Sequence, residues 1–228
     1  TGEFSMENSS ILFKDSEGSV FLAEDLNFYL DDVLVNKNTV KEKIPFEFSD
    51  LEVETSEMHY RVNEFDVLSL KDLKLLDNQL SLNNLTLQTV FDEDELPETK
   101  DHLDLDFPSI TISDFYFETV DTTFQISVNA IQIDDASLKI KQGEKIQATE
   151  PGEESKKQNE IAIPFTMDSF NINNASVMIT KADESTFLDL SELDFSLQEV
   201  TVNNSTLSQG IPLKFNDLRI ETTSLQFR

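Results

Sequence analysis

Histidine is the usual carrier of protons near neutral pH, and this chain of 228 residues has two, His59 and His102. His59 lies between Met58 and Tyr60 in an alternating run, which predicts an outward position on a strand. The sequence has no Cys, so thiol nucleophiles, zinc–thiolate clusters and disulfides are excluded. It also lacks the Gly-x-Ser-x-Gly elbow that presents a nucleophilic serine. Carboxylates are plentiful, with 45 Asp and Glu against 17 Lys and Arg. The pair Asp134-Asp135 is the best candidate for the two-carboxylate chemistry of a glycosidase, but Asp-Asp followed by Ala-Ser suits a turn better. Asp92-Glu93-Asp94-Glu95 and Asp104-x-Asp106 could gather Ca²⁺, yet the spaced ligands and central Gly of a calcium loop are missing. With only 5 Gly in the chain, a Gly-rich phosphate cradle has no place either. The reading is a protein that is not an enzyme and has no catalytic residue, metal or cofactor.

Charge narrows the partners further. A net charge of −28 repels phosphate backbones, so nucleic acid is excluded as a partner. A basic face for anionic membrane surfaces is missing for the same reason, and no run of 18 apolar residues could span a bilayer. The opening Thr1-Gly2-Glu3-Phe4 and the close Leu225-Gln226-Phe227-Arg228 read as an excerpt of a longer protein.

The elements that must position any site are strands. Apolar residues recur at every second position in Leu26-x-Phe28-x-Leu30, Phe46-x-Phe48, Ile131-x-Ile133, Leu193-x-Phe195-x-Leu197 and Ile211-x-Leu213-x-Phe215. That period puts one apolar and one polar face on each segment. Phe, Val, Ile and Thr are common and Ala is scarce, which favours strand over helix. Glu64 to Gln79 fits both templates and is read as strand.

The chain also repeats itself. Residues 26–61 laid on 193–228, an offset of 167, give 15 identities in 36 positions, among them Phe28/Phe195, Asn36/Asn203, Pro45/Pro212 and Glu54/Glu221. One residue out of step, Phe4, Asn8 and Ser10 match Phe170, Asn174 and Ser176. A shorter unit recurs inside the copies: two apolar residues spaced by one, four mostly polar residues, then two more apolar residues. Leu51-x-Val53 with Met58-x-Tyr60, and Phe170-x-Ile172 with Val177-x-Ile179, are examples. The gap breaks strand parity, so the four residues must form a short loop or a bulged bend that returns the chain to the same face. Leu30-Asp31-Asp32-Val33 and Leu82-Asn83-Asn84-Leu85 resemble two-residue hairpin turns, and the whole reads as a meander of hairpins.

Two polar, aperiodic stretches, 91–102 and 141–160, are predicted to be mobile loops. The strand pattern continues on both sides of each, so residues 1–228 are expected to form a single elongated repeat domain. Its repeat copies are about 4–61 and 170–228, with related middle units at 62–140. The fold class predicted is all-β: an elongated, curved, mainly antiparallel sheet of repeated hairpin units, groove or solenoid-like, with few or no helices. Something must cover the apolar face of such a sheet.

The units of apolar-x-apolar-Asn-Asn-Ala-Ser-apolar-x-apolar at 170–179, followed by Leu193-x-Phe195-x-Leu197 and then Ile211-Pro212-Leu213-x-Phe215, resemble the AsmA-like proteins of diderm bacterial envelopes, relatives of TamB. The likeness extends over nearly the whole chain as a pattern. It implies a segment of a membrane-anchored protein of the periplasm or cell envelope, in which repeated β-units build a groove lined with apolar side chains. It also implies a role in outer-membrane lipid homeostasis, with phospholipid or another acyl-chain ligand as partner and possibly other envelope proteins. This chain has no anchor helix and is shorter than a groove crossing the periplasm. The lipid-facing set expected is Phe28, Leu30, Phe48, Phe170, Ile172, Val177, Ile179, Leu193, Phe195, Leu197, Ile211, Leu213 and Phe215. The alternative is a structural or adhesive all-β interaction module whose apolar faces pack on each other.

Overall fold

The structure is a computed structural model that describes residues 2–14, 20–41, 46–90, 97–120, 123–144, 164–207 and 213–227. Among these, fourteen strands join in one sheet. They are β1 (Gly2–Lys14), β2 (Val20–Val33), β3 (Asp50–Thr55), β4 (Glu57–Arg61), β5 (Asp66–Leu76), β6 (Gln79–Thr89), β7 (His102–Ser113), β8 (Tyr116–Val120), β9 (Thr123–Asp134), β10 (Ser137–Lys141), β11 (Phe165–Thr180), β12 (Thr186–Val202), β13 (Asp217–Glu221) and β14 (Ser224–Phe227). Helix is limited to a 3₁₀ turn at Thr39–Lys41 and one turn of α-helix, α1, at Asn204–Leu207. The chain is all-β.

Several strands are halves of one longer strand. β3 and β4 lie end to end between β2 and β5, β9 and β10 lie end to end beside β11, and β13 and β14 share the edge of β12. β7 and β8 line the same side of the β9–β10 strand. Ten strand positions therefore span the sheet. Neighbours are antiparallel except that β9 and β10 run parallel to β11 at a constant offset of 39 residues. Parallel neighbours cannot be joined by a hairpin turn, and most of the connection from β10 to β11, residues 145–163, lies outside the described residues.

Among the described residues the recurring four-residue gap does not reverse the chain: it is a bulge inside β1 and β11 and a short break between collinear strands at β3–β4, β9–β10 and β13–β14. Asn8, Asp25, Asn84, Asp135, Asn174 and Glu192 all have positive φ, between 46° and 57°, and beside Asn8, Asp25, Asn174 and Glu192 the ladder shifts register, as a bulge requires. Asn and Asp tolerate positive φ best among residues with a side chain. The pairs Asp31-Asp32 and Asn83-Asn84, expected to be hairpin turns, also lie inside β2 and β6, with only Asp32 and Asn84 at positive φ. A two-residue type I′ turn needs both residues there. Asp77 and Asn78, at φ 50° and 60°, meet that requirement and join β5 to β6 between the paired Leu76 and Gln79.

The bulges align into a seam across the sheet. Ser56, between β3 and β4, donates its hydroxyl to Asp25 Oδ2 at 2.7 Å. Asn84 falls opposite Pro108, at the gap between the pairs Asn83–Ser109 and Leu85–Phe107. Pro has no N–H to give a ladder, and at the seam none is required. Beyond it the Asn174 side chain donates to Asp135 Oδ1 at 2.6 Å, and the Asn174 amide donates to Asp194 Oδ1 at 2.9 Å. A second row of positive-φ residues, Asp32, Asp114 and Glu199, runs beside the first. Asp32 follows Asp25 and Glu199 follows Glu192 by seven residues, the spacing of successive apolar pairs in the sequence unit.

Equivalent residues of the two copies make the same bonds. Thr55 Oγ1 donates to the Glu24 carbonyl and Thr222 Oγ1 to the Ser191 carbonyl. The Asn36 amide donates to Thr39 Oγ1, and the Asn203 amide to Thr206 Oγ1. Phe4 and Phe28 meet edge to face at 6.0 Å, as do Phe170 and Phe195. Sequence likeness is matched here by likeness of contact.

Three further expectations need correction. Phe46-x-Phe48 and Leu213-x-Phe215 are not strand segments. Each flanks an isolated bridge, Leu34–Glu47 and Thr201–Lys214. The predicted loops are shorter than drawn, because His102 opens β7 and Lys141 closes β10. Residues 97–101 and 142–144 bond to each other, with the Gly143 amide on Asp101 Oδ1 at 2.9 Å and the Glu144 amide on the Glu98 carbonyl at 2.6 Å. The acidic run Asp92–Glu95 lies outside the described residues.

Candidate functional site

Strand pairing places apolar residues in rows that run across the sheet without a break. One row passes through Met6, Phe28, Val53, Leu75, Leu80, Ile112, Ile131, Phe170, Leu197 and Leu218, each paired with the next. A second, on the far side of the bulge seam, passes through Phe13, Phe21, Tyr60, Leu68, Leu87, Leu105, Leu138, Val177, Leu190 and Leu225. Because the bulges restore parity, both rows occupy the same face. One position along the strands, the row Asn27, Glu54, Lys74, Ser81, Thr111, Gln132, Asn171, Ser196 and Arg219 is wholly polar. The sheet has one apolar and one polar side.

Among the described residues no second layer of strand or helix lies over the apolar side. Its side chains are mostly half-buried, screened by one another. Two tighter nuclei occur. Ile110, Ile133, Ala136 and Ala175 are buried together, with Leu82, Phe107, Ile131 and Ile172 against them. Val128, Met167, Leu197 and Val200 form the other, where Phe115, Leu213 and Phe215 fold over from connecting segments and close one end. Ala136 and Ala175 are each 1% exposed. Small side chains there let the two bulged strands approach, since the Ser176 amide donates to the Ala136 carbonyl at 2.8 Å.

Of the residues expected to face lipid, Phe28, Phe170, Ile172, Val177, Ile179, Leu193 and Phe195 are half-buried on the apolar side, and Leu30 and Leu197 are buried on it. Leu213 and Phe215 belong to the closing cluster rather than to a strand. Phe48 is half-buried off the strands, its ring 6.2 Å from Phe46. Ile211 lies outside the described residues. The prediction missed the middle of the surface: Leu68, Leu70, Leu73, Leu75, Leu80, Leu82, Leu85 and Leu87 of the β5–β6 hairpin continue every row. Their period-two spacing was the available signal, blurred by Leu, which suits helix as well as strand.

The polar side holds the chemistry-bearing groups. His59 Nδ1 is 2.9 Å from Ser69 Oγ, and its Nε2 is 2.8 Å from Glu57 Oε1. With Lys71, Asp104, Asp106 and Lys139 they line a depression of about 290 Å³. Hydroxyl, imidazole and carboxylate stand in the order of a nucleophile relay. Ser69, however, lies mid-strand and is paired on both sides, with His59 and Thr86. Asp134 ends β9, and Asp135, at φ 57°, forms the bend between β9 and β10. They accept from Asn173 at 2.7 Å and from Asn174 at 2.6 Å. Among the described residues no group of three or more His, Asp and Glu converges as a metal site, and no helix is long and apolar enough to cross a membrane.

Among the described residues one charged side chain is buried. Asp66 is 4% exposed and accepts from Lys100 Nζ at 2.7 Å, Asn63 Nδ2 at 2.8 Å and Thr89 Oγ1 at 2.8 Å. Burial pushes its carboxyl upward, but the bonds from Lys100, Asn63 and Thr89, with the Lys100 charge, outweigh it and hold the group below the usual carboxylate range. The cluster pins residues 97–101 to the end of the β5–β6 hairpin.

An unbroken apolar face is thus the feature that asks for a ligand. No family model, curated protein or solved structure matches the chain. Function has to be argued from that face.

Proposed function

We propose that this chain is a non-catalytic, acyl-chain-binding segment of an AsmA-like envelope protein, working in the periplasm or cell envelope to hold or conduct phospholipid. The observation that carries the reading is the unbroken row from Met6 to Leu218, apolar at all ten strand positions of the sheet, with no second layer over it among the described residues. Leaving such a strip in water costs roughly 25 cal/mol for each Å² of apolar surface. Acyl chains relieve that cost without directional bonds, and they slide because dispersion contacts are individually weak. Headgroups stay in water at the rim, so a chain with net charge −28 needs no basic site to bind a zwitterionic lipid. The AsmA-like pattern of the sequence supports the same assignment.

The test is native mass spectrometry of the gently purified chain, together with uptake of a fluorescent phospholipid. Co-purified phospholipid and saturable uptake are expected. Bare protein with no uptake sinks the reading and leaves the interaction module with self-packed faces.

A further inference from the structure

The two copies of the repeat differ in one respect: what lies beside their last strand. In the first copy β3 and β4 are flanked by β2 on one side and by β5 on the other. Their counterparts β13 and β14 pair with β12, and among the described residues nothing pairs with their other edge. The apolar residues register the difference. Val53 and Met58, paired with Leu75 and Leu70 of β5, are half-buried, whereas the matching Ile220 and Leu225 are 58% and 63% exposed. On the polar side Glu54 is met by Lys74 of β5 at 2.7 Å. Glu221, its counterpart, has only Arg219 of its own strand.

We propose that the outer edge of β13–β14 is an acceptor for an antiparallel β-strand of β5's chemistry: an extended polypeptide with apolar residues at alternate positions and a Lys placed to meet Glu221. The occupant is polypeptide rather than lipid, because an open strand edge offers alternating N–H and C=O groups that only another backbone satisfies in series. The flanking geometry already exists once in the molecule. β3 and β4 receive β5 in a single register from Val53–Leu75 to Arg61–Val67, and β13–β14 pairs with β12 in the register in which β3–β4 pairs with β2, shifted by 167 residues. Addition of the strand carries the apolar rows one position further and covers Leu218, Ile220, Leu225 and Phe227. The inference rests on the repeat and stands whether or not the apolar face binds lipid.

The experiment titrates a fluorescein-labelled peptide of the sequence Asp66–Leu76 against the purified chain, followed by anisotropy. Saturable binding is expected. It should weaken about three- to tenfold with the Glu221→Lys chain, the range of one cross-strand charge pair turned repulsive, and recover when the peptide carries Lys74→Glu. Glu221 is exposed, so the substitution leaves the fold intact. No saturable binding overturns the proposal, and so does binding indifferent to the charge at position 221, which would place the peptide on the apolar face or at the β1 edge.

Discussion

The Asn174 amide donates to the Asp194 carboxylate at 2.9 Å across a bulge, and in the first copy the Asn8 amide donates to the Asn27 side chain at the same distance. The bond fixes where the extra residue is absorbed, and through that the side of the sheet on which every following residue falls. Asn174 has φ 53°. Replacing it with Gly, which enters that region without steric cost, should leave stability within a few tenths of a kcal/mol. Asn174→Val should lower it by about 1–2 kcal/mol. Urea unfolding of the two variants compares them, and equal effects would show that the left-handed conformation is not what matters.

Ala175 is almost wholly buried beside Ala136. Ala175→Leu adds three carbons to a closed seam and should destabilise by about 1–3 kcal/mol. Thermal unfolding followed by circular dichroism measures it.

The pH dependence of Asp66 follows from its depressed carboxyl. A group with a folded pKa below its unfolded value contributes stability that is present above the unfolded pKa and lost as pH falls through the folded one. Asp66→Asn should therefore cost about 2 kcal/mol near neutral pH, the scale of a broken buried hydrogen-bond cluster. The gap between variant and parent should close as the pH drops below about 4. Paired denaturant titrations at pH 7 and pH 3 decide it; a gap that is unchanged or wider in acid contradicts the assignment.

Ile131 and Gln132 are adjacent but face opposite sides. Ile131→Lys should reduce uptake of a fluorescent phospholipid at least fivefold, a charge in the apolar row being costly to cover. Gln132→Lys, near Asp134 on the polar side, should leave uptake unchanged. Far-ultraviolet circular dichroism checks that both variants stay folded. Equal uptake by both would remove the apolar face from the binding reaction.

How far the fold was legible in the sequence depended on the range of the interaction. Alternation in Leu26-x-Phe28-x-Leu30 and Leu193-x-Phe195-x-Leu197 marked strands, because side-chain direction in a strand is local. The offset of 167 marked equivalent units for the same reason: both copies place the same residue types before the same bends. Asn83-Asn84 and Asp77-Asn78 could not be told apart, since a bulge and a hairpin turn draw on the same left-handed residues, and only the strand across from them shows whether the chain continues or reverses. Phe46-x-Phe48 alternates like a strand but lacks a continuous ladder.

The sequence by itself thus determined that the chain is built of strands with one apolar side and that it repeats. Tertiary structure decided which strands are neighbours, that β9–β10 runs parallel to β11, that Pro108 sits at a seam where its missing N–H is harmless, and that Lys100 reaches Asp66. Each of these depends on hydrogen bonds and contacts between residues distant in the chain. Local periodicity carries no record of them.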